Sequence, residues 1–195
     1  MLNKIFYYLT FSIAILSIYA CAPSLGSGLK LVPPEPLKNS ELGADSAEVV
    51  FIPVKIEVDT DNRKTTFVGM INDRGLLPEG DYNEPLQLLV ENKFKKIGLT
   101  VSSVATTVIK CKILDLYVDV ISSFPMSSAK SRASVEMTIL DELTGKKYIT
   151  SYEGSAETKN PFLTELTVQN TLYNALDSAL SAAVEDTNFR QAIGL

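Results

Sequence analysis

Residues 107–122 carry the longest strand signal in the chain, and the signal changes phase part-way. Ile109, Cys111 and Ile113 share one parity, whereas Leu114, Leu116, Val118 and Val120 share the other. Successive side chains of a strand point to opposite faces, so the switch implies an inserted residue near Ile113–Leu114 or a strand buried on both faces. The run is followed by a polar turn, Ser122 to Ser128, and a second alternation at Ala133, Val135, Met137 and Ile139. The turn Asp141-Glu142-Leu143-Thr144-Gly145 then reverses the chain, and Lys147 to Ser155 returns it as the other arm of a hairpin. Arg132, Ser134, Glu136 and Thr138 occupy the opposite face, so one side of this sheet is expected to be wet.

What must cover the dry side is the last long segment. From Asn160-Pro161 or Thr164 to about Glu185, the residues Leu166, Leu172, Tyr173, Leu176, Ala179, Leu180, Ala183 and Val184 form an apolar stripe at helical spacing. Its alanines permit close approach to the sheet, and Asp186-Thr187-Asn188 caps a final turn that holds Phe189 and Ile193. The predicted fold is α+β: a mostly antiparallel sheet of about 4–6 strands with two helices, the long C-terminal one packed on one face.

Earlier in the chain, Val50, Ile52, Val54, Ile56 and Val58 alternate with Phe51, Pro53, Lys55 and Glu57, the pattern of a strand. Pro53 cannot donate to a ladder, so an edge or an irregular strand is expected there. Asp59-Thr60-Asp61-Asn62 is turn chemistry, and Thr65 to Met70 reads as a return strand. A loop holding Gly75, Pro78 and Gly80 leads to Asn83 as a helix N-cap, with Pro85 in the first turn. Leu86, Leu89, Val90, Phe94 and Ile97 give that helix its apolar face, lysines crowd its last turn and Gly98 closes it. Leu99 to Val104 forms a short strand or connection.

The N-terminus has a different character. Lys4 is followed by an apolar run from Ile5 to Tyr19 and by the small residue Ala20 directly before Cys21, the profile of an export signal. Thr10, Ser12 and Ser17 interrupt the run, which stops short of the about 20 apolar residues of a bilayer-spanning helix. Leu16-Ser17-Ile18-Tyr19-Ala20-Cys21 is similar to a bacterial lipobox, with Ile18 and Tyr19 in its first two places. The resemblance implies cleavage after Ala20 and a diacylglycerol on the Cys21 thiol; the alternative is an uncleaved membrane anchor ending at Ala20. One acyl chain holds a protein only marginally, and two or more hold it stably.

Residues 22–46 are dense in Pro, Gly and Ser and lack apolar periodicity. The expected organisation is therefore a signal peptide (1–20), a lipidated cysteine with a flexible tether (21–46) and one α+β domain (47–195). A coil of that length spans about 25–30 Å on average and about 80 Å when extended.

Composition removes several function classes. Loss of residues 1–20 removes Lys4 and no acid, taking the net charge from −5 to −6, and no basic cluster offsets it. Such a surface repels nucleic acid, so no nucleic-acid partner is expected, and anchoring is left to the lipid on Cys21. With no histidine in the chain, Ser-His and Cys-His nucleophile pairs and most zinc sites are excluded. No enzyme, catalytic residue, metal or cofactor is expected. Cys111, alternating with Lys110 and Lys112, reads either as a small buried hydrophobe or as a reactive thiol. Asp115 and Asp119 share one face of their strand, and present two acids to a ligand or partner or simply form the polar side of a half-exposed strand.

The order of elements resembles the YajG family of bacterial lipoproteins. The residues that carry the resemblance are Leu88-Leu89-Val90-Glu91-Asn92-Lys93-Phe94 with Gly98, then Ile113 to Val120, then Tyr152-Glu153-Gly154 and Asn174-Ala175-Leu176. It implies an outer-membrane-anchored domain that faces the periplasm and gives no indication of an enzyme. Ala22, where Asp after the lipidated cysteine would retain such a lipoprotein in the inner membrane, is consistent with that destination. The function expected is a non-catalytic binding or structural one, with an envelope protein or the cell wall as partner. A more distant similarity, to auxiliary lipoproteins of envelope lipid transport, implies an accessory role in lipid transport or assembly instead.

Overall fold

The computed structural model describes residues 28–30, 52–59, 69–71, 74–79 and 82–195. The export segment, Ala20, Cys21 and all of the tether except residues 28–30 lie outside them. The elements are β1 (Gly28–Lys30), β2 (Ile52–Asp59), β3 (Gly69–Ile71), β4 (Arg74–Glu79), α1 (Asn83–Lys95), β5 (Leu99–Val101), β6 (Thr107–Ile121), β7 (Ser127–Asp141), β8 (Lys147–Asn160), α2 (Glu165–Glu185) and α3 (Thr187–Ala192).

Strand β6 is the spine. One edge pairs antiparallel with β7 from Thr107↔Asp141 to Ile121↔Ser128, and β7 pairs in turn with β8 from Ser127↔Asn160 to Leu140↔Lys147. The register slips between Ile113 and Asp115, so the phase change in the sequence is a β-bulge. It lets Ile109, Cys111 and Ile113 on one side of the slip, and Leu116, Val118 and Val120 on the other, face the same core. Against this layer lies α2, whose Leu172, Leu176 and Leu180 are fully buried, with α1 beside it contributing Leu86, Val90 and Phe94. The α+β class stands: the three long strands are antiparallel and the long C-terminal helix covers one face.

The other edge of β6 differs from the expected hairpin. β2 pairs parallel with β6 at Lys55↔Val108 to Asp59↔Lys112, and β3 pairs parallel with the same edge at Gly69↔Val118 to Ile71↔Val120. The chain therefore does not reverse between β2 and β3; both travel along β6 in one direction. β4 pairs antiparallel with β3, from Gly69↔Leu76 to Ile71↔Arg74. The stretch read as a loop through Gly75 and Pro78 is thus strand β4. β1 pairs parallel with it at Gly28↔Leu77 to Lys30↔Glu79, so three residues of the expected tether belong to the sheet. Leu29 is fully buried, and the Tyr82 hydroxyl donates to its carbonyl.

Pro53 sits where its chemistry allows. Ile52 N–H donates to Gly98 O at 3.4 Å and Val54 O accepts from Ser102 N–H at 2.8 Å, both on the β5 side. The Pro53 nitrogen therefore points to the β6 side, where pairing starts only at Lys55. Tyr82, rather than Asn83, occupies the N-cap position of α1, and Asn83 is its first helical residue. For α2 the capping residue is Thr164, whose hydroxyl accepts from Thr167 N–H at 3.2 Å. Asp186 caps α3 through Asn188 N–H at 2.9 Å. Leu166, counted in the apolar stripe of α2, is exposed. It lies in the first turn of α2, which follows β8 at the end of the sheet marked by Ile121, Ser127 and Asn160, here termed the upper end.

Candidate functional site

Asp115, just past the bulge in β6, lines a cleft of about 360 Å³ together with Arg132, Ala133, Ser134, Glu153, Gly154 and Ser155 of β7 and β8 and Ser178 of α2. Arg132 Nε donates to Asp115 Oδ2 at 2.8 Å, and its guanidinium lies over the Tyr117 ring, 4.6 Å from the centroid. The two partners differ in exposure: the Asp115 side chain is 15 % exposed and that of Arg132 63 %. Asp115 Oδ1 is buried and has no hydrogen-bond partner. A buried carboxylate oxygen without a donor is uncommon in folded proteins. The Arg132 side chain, held at one side by Asp115, is otherwise largely open to solvent. The Tyr117 hydroxyl is held above its ordinary range, first by burial and then by the Asp119 charge.

Asp115 and Asp119 share a face, as the alternation indicates, but do not form a carboxylate pair. Four residues of strand separate them, about 13 Å, and Tyr117 with its Arg132 cover lies between. Asp119 is exposed and stands opposite Lys130 in the register. Arg132 and Ser134, read from sequence only as part of a wet face, meet Glu153 and Ser155, to which the sequence reading gave no place at a site; the juxtaposition depends on the β7–β8 register. Cys111 is buried, and burial pushes its thiol pKa up to about 12, which makes it a core residue and a poor nucleophile. Among the described residues no group of three or more His, Cys, Asp or Glu is placed to hold a metal ion, and no helix is long and apolar enough to cross a membrane.

A family model for uncharacterized lipoproteins, Lipoprotein_16, matches residues 47–194. The chain belongs to this lipoprotein family. No curated protein matches it. Among solved structures, an uncharacterized protein is 14% identical with a TM-score of 0.47, over 82% of this chain and 99% of the other. A protein from Xanthomonas campestris is 7% identical with a TM-score of 0.45, over 79% of this chain and 86% of the other. Neither likeness bears on function. The matched span begins after the proline-rich stretch, so the lipoprotein assignment rests on the folded domain and is independent of the lipobox-like residues around Cys21.

Proposed function

We propose that this lipoprotein is a non-catalytic binding protein of the YajG type, anchored through lipid on Cys21 to the periplasmic leaflet of the outer membrane, and that the Asp115–Arg132 cleft receives its partner. The observation that carries this reading is the Arg132 guanidinium, fixed by Asp115 Oδ2 at 2.8 Å and by the Tyr117 ring yet 63 % exposed. A fixed, solvent-open guanidinium suits a ligand that carries a carboxylate, as a peptide chain or a cell-wall stem peptide does. The absence of histidine supports recognition over acid–base chemistry.

An accessory role in lipid transport requires an acyl-wide apolar groove between helix and sheet. At Gly154 the β8 backbone meets the α2 backbone at Ala175 and Ala179, which leaves no such gap there. The Asp115–Arg132 cleft is lined mainly by polar side chains. The test is recovery of partners from crosslinked envelopes with the wild-type chain and with Arg132→Ala and Asp115→Asn. A specific protein or peptidoglycan fragment captured by the wild type and lost from both variants supports the reading; equal capture by all three, or no specific capture, contradicts it.

A further inference from the structure

Five large apolar side chains are exposed at the upper end of the sheet. Ile121, Phe124 and Met126 lie at the β6–β7 connection, and Phe162 and Leu166 at the β8–α2 connection; Phe124 is 88% and Phe162 67% exposed. The two connections are neighbours, because Ser127 pairs with Asn160 and Ile121 with Ser128. Exposed single apolar residues are ordinary, but five on two adjacent loops form a patch of the kind that marks a contact surface.

An independent observation says what covers it. β3 places Gly69 beside Val118, and Leu76 of β4 lies opposite Gly69. Gly28, opposite Leu77, therefore stands about one residue below the level of Val118. β1 runs parallel to β4 and away from the upper end, so Gly28, its first residue, is its end nearer the upper rim. Seven residue steps separate Cys21 from Gly28, a contour of at most about 25 Å. The upper rim, at Ile121, is about 13 Å from the level of Gly28, whereas Thr107 at the opposite end is about 33 Å away. Cys21 can therefore pass the upper rim and cannot reach the lower one.

Resting on the lipid anchor proposed above, we propose that the upper end of the sheet lies on the bilayer, with Phe124 and Phe162 as its inserting side chains. The lipid and the apolar rim then form two footholds on one membrane, and the Asp115–Arg132 cleft stands sideways to it, open to the periplasm. Lys130 and Lys159 lie near the rim with Glu157 between them, within 3.8 Å and 3.3 Å, so the contact depends on apolar insertion rather than on anionic lipid.

The chain has no tryptophan, so one introduced at a chosen site is the only indole present. The full lipidated chain carrying Phe124→Trp, Phe162→Trp or, at the far end, Leu143→Trp is reconstituted into vesicles of phosphatidylethanolamine and phosphatidylglycerol, with and without shallow doxyl-labelled lipid. We expect blue-shifted emission and at least two-fold quenching at positions 124 and 162, neither at 143, and little change in high salt. Proteins that float with the vesicles yet show the same unquenched emission at all three positions overturn the rim contact and leave the anchor standing. Wild-type chain that fails to float overturns the anchor and the rim contact together. A blue shift that follows protein concentration in detergent, without vesicles, assigns the patch to self-association and also overturns the proposal.

Discussion

Replacing Gly154 by alanine tests how closely helix and sheet are fused. Gly154 faces inward from β8, opposite Ala133 of β7, and a Cβ built on it falls inside the contact distance of Ala175 O and Ala179 N and 3.0 Å from Ala179 Cα. All three are backbone atoms, so no rotamer change on α2 relieves the clash. Ordinary contact would require the helix to lift by about 1 Å, which loosens the fully buried Leu172, Leu176 and Leu180 packed beneath it. Overpacking of a core costs about 1–3 kcal/mol, and the absence of a side-chain escape places this case at about 3 kcal/mol. For a domain of this size, where 1 kcal/mol shifts Tm by about 2–4 °C, the expected fall is about 6–12 °C. Differential scanning calorimetry of the domain measures it. Ala179→Gly in the same chain gives no rescue, because the opposing atoms are backbone. Gly145→Ala is the control: its φ is +69° and nothing lies within 4 Å of its Cβ, so only the left-handed backbone cost of about 1–2 kcal/mol applies. A Gly154→Ala protein within about 2 °C of wild type would refute the close-approach argument.

Three further outcomes follow from the same geometry. Asp186 accepts from the Tyr152 and Tyr148 hydroxyls at 2.7 and 3.1 Å and caps α3, and these contacts, the Tyr152 bond foremost, hold its carboxyl below the ordinary carboxylate value. A depressed pKa contributes stability that is present above the unfolded value of about 3.9 and is lost as pH falls through the folded one, so thermal melts of Asp186→Ala lie below wild type at pH 7 and approach it as pH falls below the carboxylate range. Lys93 donates to Asp177 at 2.9 Å and to Ser181 at 2.6 Å, tying α1 to α2; with Asp177 half-exposed, Lys93→Ala costs about 0.5–1 kcal/mol in urea melts, and the loss shrinks when Asp177 is already Ala. Cys111 stays unlabelled by iodoacetamide in the folded protein at pH 8 and reacts on unfolding in guanidinium; rapid labelling without denaturant contradicts its burial.

Legibility from sequence followed the length of the element. The bulge was visible because seven apolar residues of β6 keep strict parity on each side of Ile113–Leu114, and α2 because its cap, Thr164, and 21 residues of periodicity agree. β1, β3 and β5 are three residues each, too short for any period to register, and their existence depends on partners remote in the chain. Turn chemistry at Asp59-Thr60-Asp61-Asn62 suggested a reversal, yet a turn-prone segment cannot specify which edge its next strand joins, and β3 joined β6. Gly75 and Pro78 read as loop because both are poor strand formers; β4 tolerates them in a ladder only six residues long. At the site, strand parity put Asp115 and Asp119 on one face, but not the Arg132 pairing that leaves Oδ1 of Asp115 unmet.

Whether lipid on Cys21 holds this domain at a membrane is decided by the intact mass of the protein extracted from its native envelope. The expected mass is that of a chain that starts at Cys21, lacks residues 1–20 and is heavier than residues 21–195 by a diacylglyceryl group, with or without a further acyl chain. A mass equal to the unmodified chain, with Met1 retained and the Cys21 thiol free, contradicts it.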